Sequence, residues 1–376
     1  MSYDYFATTA KGLETVLAEE IAELGRAEKI EKQTGGVAFC GSRELGYKAN
    51  LWLRTAVRVL LRVSRFRAKS PEKLYEKIRE IDWSAYLSLD KTFAVQANAR
   101  DSEMRHSQYI ALKTKDAIVD QFRDKSGERP SVSRQAPDLL VNIHIKNNLC
   151  TVSLDMSGES LHKRGYRLEG GQAPMREWLA AGILKLAGYN GSTPFTDLMC
   201  GSGTVPIEAA MVARKMPPGI LRKKFGFQSW PDFDAAAWEK IVTDAREKIL
   251  PRPPAPIFAS DTYPRILTVA GENAKRAGVE RNIQFTRQDF RKARARSENG
   301  VVFCNPPYGE RIGDIDELVE TYEHLGEIYK RNFQGHTGLV FTGNLDLGKR
   351  IRLKPKRRHI LYNGPIESRL LVFELY

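Results

Sequence analysis

Several things are scarce in these 376 residues, and each scarcity closes off a class of function. There are only four cysteines (Cys40, Cys150, Cys200 and Cys304), and they are widely spaced. No CxxC pair offers a zinc or redox site, and no dense framework suggests disulfides. The six histidines (His106, His144, His162, His324, His336 and His359) show neither metal-ligand spacing nor a GxSxG neighbourhood, so no metal is expected. No apolar run approaches the ~18 residues of a membrane span, and the opening MSYDYFATTAKG lacks the pattern of a secretory signal. A cytoplasmic location without membrane attachment is the expectation. Acid is also in short supply: 46 Asp and Glu face 59 Lys and Arg, a net charge of +13. A basic excess of that size attracts polyanions, of which nucleic acid is the commonest in a cell.

The rest of the composition is that of a folded chain, 42% hydrophobic and 28% charged, and its length suggests roughly two to three domains. The first part reads as α+β. A strand is expected over 3–8, a helix over 12–24, a strand over 37–40 and a helical pattern over 51–61. A helix over 73–81, a strand over 92–97, a helix over 106–122 and two strands over 139–145 and 150–155 follow. The last two are separated by Lys146-Asn147-Asn148, a hairpin turn. Residues 156–172 are rich in glycine and charge and read as a connector. Beyond a helix over 176–187, short apolar strands at 195–198, 257–259, 283–286, 301–304 and 338–342 alternate with helices, which predicts a doubly wound parallel sheet. Two strand-like runs around Asn363-Gly364 suggest an antiparallel hairpin at its edge.

Chemistry concentrates at strand ends. The run from Asp197 through Leu198, Met199, Cys200, Gly201, Ser202 and Gly203 to Thr204 joins a strand to a helix. Glycines there permit a tight turn and close approach of a ligand to backbone N–H groups. By itself such a turn is weak evidence. Asp261 and Asp289, each just after a later strand, could serve a ribose and an adenine, or could simply cap helices. Three acids at successive strand ends are harder to explain as caps, because ligands bind at that edge of an open sheet. Asp197 and Asp261 stand 64 positions apart, against about 20 in a simple dinucleotide fold. The surplus over 215–254, with its LRKKFGFQSW stretch, reads as an insertion facing substrate or solvent.

The strand 301–304 ends in Asn305-Pro306-Pro307-Tyr308-Gly309. The prolines stiffen the loop and supply no donors, so Asn305 and the Pro306 carbonyl can both present acceptors to an amino group. Tyr308 offers a face on which a base can stack, which suits a base that has left its stack. Methylation of such an amine needs no covalent nucleophile and no metal. It needs the nitrogen lone pair aimed in line at a methyl donor. The loop does not distinguish guanine N2 from adenine N6.

The order DLMCGSGT, ASD, QDF, NPPYGER resembles the amino-methyltransferases acting on adenine N6 or guanine N2. FATTAKGLETVLAEEIAELG, LWLRTAVRVLL, SLDMSGESLHKRGYR, APMREWLAAGIL and LYNGPIESRLL resemble, over essentially the whole chain, the bacterial ribosomal-RNA guanine-N2 methyltransferases that carry a THUMP domain. The resemblance implies an α/β chain. Its Rossmann-like class I S-adenosylmethionine-dependent methyltransferase domain (176–376) would follow a ferredoxin-like segment (1–65), a THUMP RNA-binding domain (66–156) and a connector (157–175). It implies S-adenosylmethionine as cofactor, with Asp197, Cys200, Gly201, Gly203, Thr204, Asp261, Asp289 and Asn305 around it. Asn305, Pro306 and Tyr308 would hold the target base, and Arg311 would meet phosphate or form a surface ion pair. Some members are fused to a second methyltransferase; with the chain ending at Tyr376, that activity is not implied. The implied partner is RNA, large-subunit ribosomal RNA foremost. Transfer RNA, adenine-N6 methylation of DNA or RNA, and a non-catalytic RNA-binding role are the alternatives. Two basic segments, seven cations over 349–358 and HKRGYR over 162–167, are candidates for phosphate contact, with a solvated face or domain packing as the competing readings.

Overall fold

The computed structural model describes residues 1–167, 175–308 and 315–376. The chain divides into two compact units, one of residues 1–9, 18–161 and 222–243, the other of residues 10–17, 162–221 and 244–376.

The first unit is built on an eight-stranded sheet. In chain order the elements are β1 (Tyr3–Thr8), α1 (Glu14–Glu23, of which residues 14–17 fall in the second unit), β2 (Glu28–Gln33), β3 (Gly36–Gly41), α2 (Arg43–Trp52), β4 (Arg58–Arg67), α3 (Pro71–Arg79), β5 (Thr92–Arg100), α4 (Ser107–Ser126), β6 (Ser131–Val132), β7 (Leu139–Lys146) and β8 (Leu149–Asp155). The strand order is β2-β3-β1-β4-β8-β7-β5-β6. One face is apolar: Tyr5, Val37, Phe39, Val59, Val141, Ile143, Val152 and Leu154 are all buried. The β7–β8 hairpin closes through Asn147 and Asn148, both at positive φ (50° and 60°), as the paired asparagines suggested.

One expected helix is absent. Residues 51–61 are the last turn of α2 followed by the start of β4. The Glu20 carboxylate accepts from the backbone N–H of Arg54 (3.1 Å) and Thr55 (3.0 Å) and from the Thr55 hydroxyl (2.8 Å). Those N–H groups are the ones a continuing helix would have used. Val59 and Leu61 instead pair with Ala7 and Tyr5 of β1.

The second unit comprises α5 (Glu177–Leu186), β9 (Phe195–Asp197), α6 (Thr204–Ala213), α7 (Ala235–Glu247), β10 (Ile257–Asp261), α8 (Pro264–Arg276), β11 (Ile283–Arg287), β12 (Gly300–Cys304), α9 (Ile315–Asn332), β13 (His336–Thr342), α10 (Leu345–Arg350), β14 (Arg357–Asn363) and β15 (Ile366–Glu374), with α7 beginning in the segment that belongs to the first unit. Strand order is β11-β10-β9-β12-β13-β15-β14. The first five strands are parallel, and β15 enters antiparallel to β13 with β14 at the edge. This is the expected α/β, Rossmann-like doubly wound sheet. From β9 the chain winds outward through β10 and β11, then returns to the other side of β9 for β12. The crevice beyond the carboxyl ends of β9 and β12 is therefore the topological switch point, where open α/β sheets bind ligands.

The expected insertion over 215–254 exposes Lys223, Lys224 and most of 231–240 to solvent, but its aromatic stretch is turned inward. Residues 222–243 belong to the first unit, where Phe225, Phe227 and Trp230 are buried. Phe227 stacks on Tyr47 with ring centroids 4.5 Å apart and meets Trp238 edge-on at 5.2 Å. Burying such rings satisfies the hydrophobic effect, which outweighs the polarity of Arg222, Lys223 and Lys224 beside them. Arg222 itself lies over the Phe225 ring and donates to the carbonyls of Ser157, Glu159 and Ser160.

Candidate active site

Three loops meet at the switch point. In the parallel register Asp197 of β9 is level with Ala259 of β10 and Phe303 of β12. The backbone beyond it turns at once: Leu198 N–H donates to Phe303 (3.0 Å), Cys200 N–H to Ser260 (2.9 Å) and Gly203 N–H to Cys200 (2.9 Å). Gly201 and Gly203 both sit in the left-handed region, at φ 52° and 83°. A side chain at Gly203 would press on Ala270 of α8 at 3.0 Å, so its glycine is needed for helix packing. Around Gly201 the space where a Cβ would stand is open to 4 Å. Open space beside a bare backbone turn, at a helix N-terminus, is what an approaching ligand requires.

Asp197 is 1% exposed, and its carboxylate accepts from Met199 N–H at 3.2 Å. Burial, together with the nearby Asp261, pushes its pKa up to about 8. A buried acid with no cation in ion-pair range among the described residues favours a positively charged ligand. Asp261 braces the same turn, accepting from Gly201 N–H at 3.0 Å and from Tyr263 N–H at 3.1 Å. Cys200 is buried, its thiol pushed well up by desolvation, so it serves as an inert wall of the turn.

Two of the expected residues are engaged elsewhere. The Thr204 hydroxyl accepts from Arg167 at 2.9 Å, which leaves its place at the start of α6 rather than its side chain to face the turn. Asp289 caps the short turn Phe290–Lys292, accepting from Arg291 N–H, and its carboxylate is paired with the Arg291 guanidinium at 2.7 Å. That pairing holds its pKa below the usual range. The capping alternative for Asp289 is therefore realised.

On the other side of the crevice β12 delivers Asn305-Pro306-Pro307-Tyr308. Pro306 is buried, and the Asn305 side-chain oxygen is buried without a hydrogen-bond partner among the described residues. The Tyr308 hydroxyl accepts from the Asn363 amide at 3.2 Å, and its ring lies against Gly343, where a Cβ would come within 2.5 Å of it. Asn363 and Gly343, missed by the sequence reading, lie far along the chain from the loop they hold; only the folded hairpin brings them there. Arg311 falls outside the described residues.

In HKRGYR Lys163 is exposed, while Arg164, Tyr166 and Arg167 follow the packing alternative. Arg164 and Tyr166 are both 1% exposed, and each meets the buried Glu208 of α6, at 3.3 and 3.2 Å. Arg167 bonds Glu177 (2.8 Å), the Met175 carbonyl (2.8 Å) and Thr204. Two buried acids on α5 and α6, invisible as partners in sequence, draw these cations inward. The basic run over 349–358 is solvent-facing. Lys349, Arg352 and Lys356 pair with Asp346, Glu323 and Glu374, while Arg350, Lys354, Arg357 and Arg358 have no acid in ion-pair range among the described residues.

Residues 164–371 match the RMKL-like methyltransferase domain. The chain belongs to that family. Residues 68–155 match the THUMP domain and residues 4–60 the RlmL ferredoxin-like domain. A Synechocystis protein provisionally named as an RNA methyltransferase (slr0064) is 40% identical over 99% of this chain and 97% of its own. The ribosomal RNA large subunit methyltransferase K/L of Methylococcus capsulatus is 41% identical over all of this chain and 52% of its own length. This chain thus spans about half of that curated relative. Among solved structures SMU.472, provisionally named a methyltransferase and crystallised with S-adenosylhomocysteine (SAH), superposes with a TM-score of 0.92 at 31% identity, covering 100% of this chain and 98% of the other.

Proposed function

We propose that this S-adenosylmethionine-dependent methyltransferase methylates the exocyclic N2 of a guanine in 23S ribosomal RNA. The observation that carries the amine reading is the Asn305 side-chain oxygen, buried at the end of β12 with no partner among the described residues. Leaving an acceptor unsatisfied costs ~1–3 kcal/mol, and an amino group entering the crevice would repay it. S-adenosylmethionine, when bound, supplies an electrophilic methyl on a cationic sulfonium. The chain's own residues then have three tasks. The bare turn at Gly201 and Gly203 would let the cofactor approach the start of α6, whose backbone N–H groups suit its carboxylate, while the buried Asp197 would ionise toward its positive charge. Asp261 holds the turn in shape. Asn305 and the Pro306 carbonyl accept the hydrogens of the amine, which leaves its lone pair directed at the methyl carbon, while Tyr308 stacks on the base. The N–C bond forms as the C–S bond breaks, and the proton leaves to water, since an amide oxygen does not retain it.

Large-subunit RNA as substrate is supported by the names of the K/L relatives and by residues 1–65 and 66–156, which we assign to RNA presentation; guanine N2 rests on the sequence resemblance alone. Nucleoside mass spectrometry of ribosomal RNA, transfer RNA and DNA from cells with and without the gene tests it. Loss of N2-methylguanosine from large-subunit RNA is expected. Loss of N6-methyladenine, or loss confined to transfer RNA, would replace the substrate.

A further inference from the structure

The eight-stranded sheet of the first unit has a second face, and strand register determines which side chains it carries. Across β4, β8, β7 and β5, Arg62 pairs with Ser153, Ser153 with Asn142, and Asn142 with Gln96. Two residues further out, Arg65 pairs with Thr151, Thr151 with His144, and His144 with Asn98. At the rim Arg67, Leu149, Lys146 and Arg100 complete a third row. A bulge between Arg62 and Ser64 is what keeps Arg65 and Arg67 on the same side as Arg62.

This face is polar and open at the rim. Arg65, Arg67, His144, Lys146, Gln96, Asn98 and Arg100 are all exposed. Farther in, the same side is closed: Leu60 and Asp155 are buried. Among the described residues no acid lies in ion-pair range of Arg65, Arg67 or Lys146. Asp101 is 3.6 Å from Arg100, and Asp4 is 3.5 Å from Arg62, whose guanidinium also lies over the Phe6 ring. The other acids on this face, Glu28 and Glu31, belong to the far edge strand β2, with β3 and β1 between them and β4. Charge is thus segregated, with cations over β4–β5 and acids at the opposite edge. Partial desolvation of its ring holds the His144 imidazole below its usual pKa, and the charges of Lys146 and Arg62 act in the same direction. The three groups thus share one neighbourhood.

An exposed strand edge would invite another strand, but this is a face, and its side chains are donors. Cations two residues apart on a strand stand ~6.6 Å from each other, and neighbouring strands are ~4.8 Å apart. Such a grid meets successive phosphates of a nucleic-acid strand. Asn98, Gln96 and Asn142 lie between the cations with amide groups able to bond ribose hydroxyls and base edges. We propose that this basic face of β4-β8-β7-β5, centred on Arg65, Arg67 and Lys146, is the surface on which the RNA substrate docks. The proposal rests on the RNA reading above.

The test uses the 376-residue chain and a fluorescein-labelled 23S ribosomal RNA transcript, with anisotropy measured from about 50 to 200 mM salt. Arg65→Glu/Arg67→Glu should weaken binding at least tenfold at physiological salt. Removing two phosphate contacts should also make log K against log salt shallower by about 1.4. Arg65→Lys/Arg67→Lys should retain most of the affinity. A control with the same charge change, Lys125→Glu/Arg129→Glu, alters residues on and just after α4, the helix packed on the buried side of the sheet, and should bind within about threefold of wild type. Thermal melts and S-adenosylmethionine titration verify that each variant is folded. Equal RNA binding by wild type and Arg65→Glu/Arg67→Glu overturns this surface and leaves the substrate reading intact. Equal weakening by the control reduces the effect to net charge and overturns it as well. Failure of wild-type protein to bind RNA removes both.

Discussion

Asn305 holds a buried amide oxygen with no hydrogen-bond partner among the described residues, and the proposed acceptor role rests on that single atom. Asn305→Ala removes it and leaves the prolines that stiffen the turn. Methyl transfer should fall ~10²–10³-fold, by analogy with loss of one preorganised polar group at a reacting centre. Single-turnover transfer of a radiolabelled methyl checks this, and an unchanged rate would remove the acceptor role. Asp197 makes a prediction of a different kind. Its folded pKa, raised to about 8, exceeds the ordinary aspartate value of 3.8. The folded ligand-free protein therefore binds a proton that the unfolded chain has released. This contribution to stability is complete below about pH 4 and is lost as pH rises to about 8. Asp197→Asn abolishes that loss. The ligand-free variant should melt at least ~2–4 °C above wild type at pH 8, about 1 kcal/mol for a domain of this size, while losing affinity for S-adenosylmethionine. Differential scanning calorimetry and isothermal titration read the two effects, which have opposite signs. A variant that melts lower and binds normally would disprove the charge argument.

At the scale of elements, the reacting loop is held from behind by parts of the chain that follow it. Tyr308 lies on Gly343, just after β13, and bonds Asn363 at the end of β14. Gly343→Ala would place a methyl 2.5 Å from the Tyr308 ring and 3.0 Å from Ile366, so the ring must shift. A shift of about 1 Å at a reacting centre can cost 10²-fold. We expect kcat to fall by roughly that factor, with cofactor affinity within about threefold of wild type because the glycine turn after β9 is untouched. Steady-state kinetics with a cofactor titration distinguish this from general damage. The glycine turn, the strand bearing it and the Asn305 loop were all legible in the sequence, since each is a local pattern of apolar run and strand end. Asn363 and Gly343 were not legible, because their role exists only once β15 has inserted between β13 and β14. The 51–61 segment failed for a related reason: Glu20, more than 30 positions upstream, ends the helix by taking its next two backbone donors.

Across the whole chain, the assignment of segments to units follows burial more than sequence order. Residues 222–243 leave the sheet that precedes and follows them in sequence and join the first unit. Phe227 anchors them, 1% exposed between Tyr47, Phe225, Phe233 and Trp238. Phe227→Ala should cost ~3–5 kcal/mol as a buried ring replaced by a cavity. Urea denaturation followed by tryptophan fluorescence would register it, and a loss below about 1 kcal/mol would mean the segment is only loosely attached.

Sequence alone determined what depends on neighbours along the chain. It determined the alternation of strand and helix that makes the doubly wound sheet, the positive-φ glycine turn after β9, the Asn-Pro-Pro-Tyr loop after β12 and the excess of positive charge. Tertiary structure decided what depends on partners far away. It turned Arg164 and Arg167 inward to Glu208 and Glu177 and buried the aromatic rings of the insertion. It also gathered Arg65, Arg67 and Lys146 from three strands onto one face. The physical reason is that backbone conformation answers to local sterics and hydrogen bonding. Whether a charge meets solvent, an acid or a ligand is set by which distant segments the hydrophobic core brings beside it.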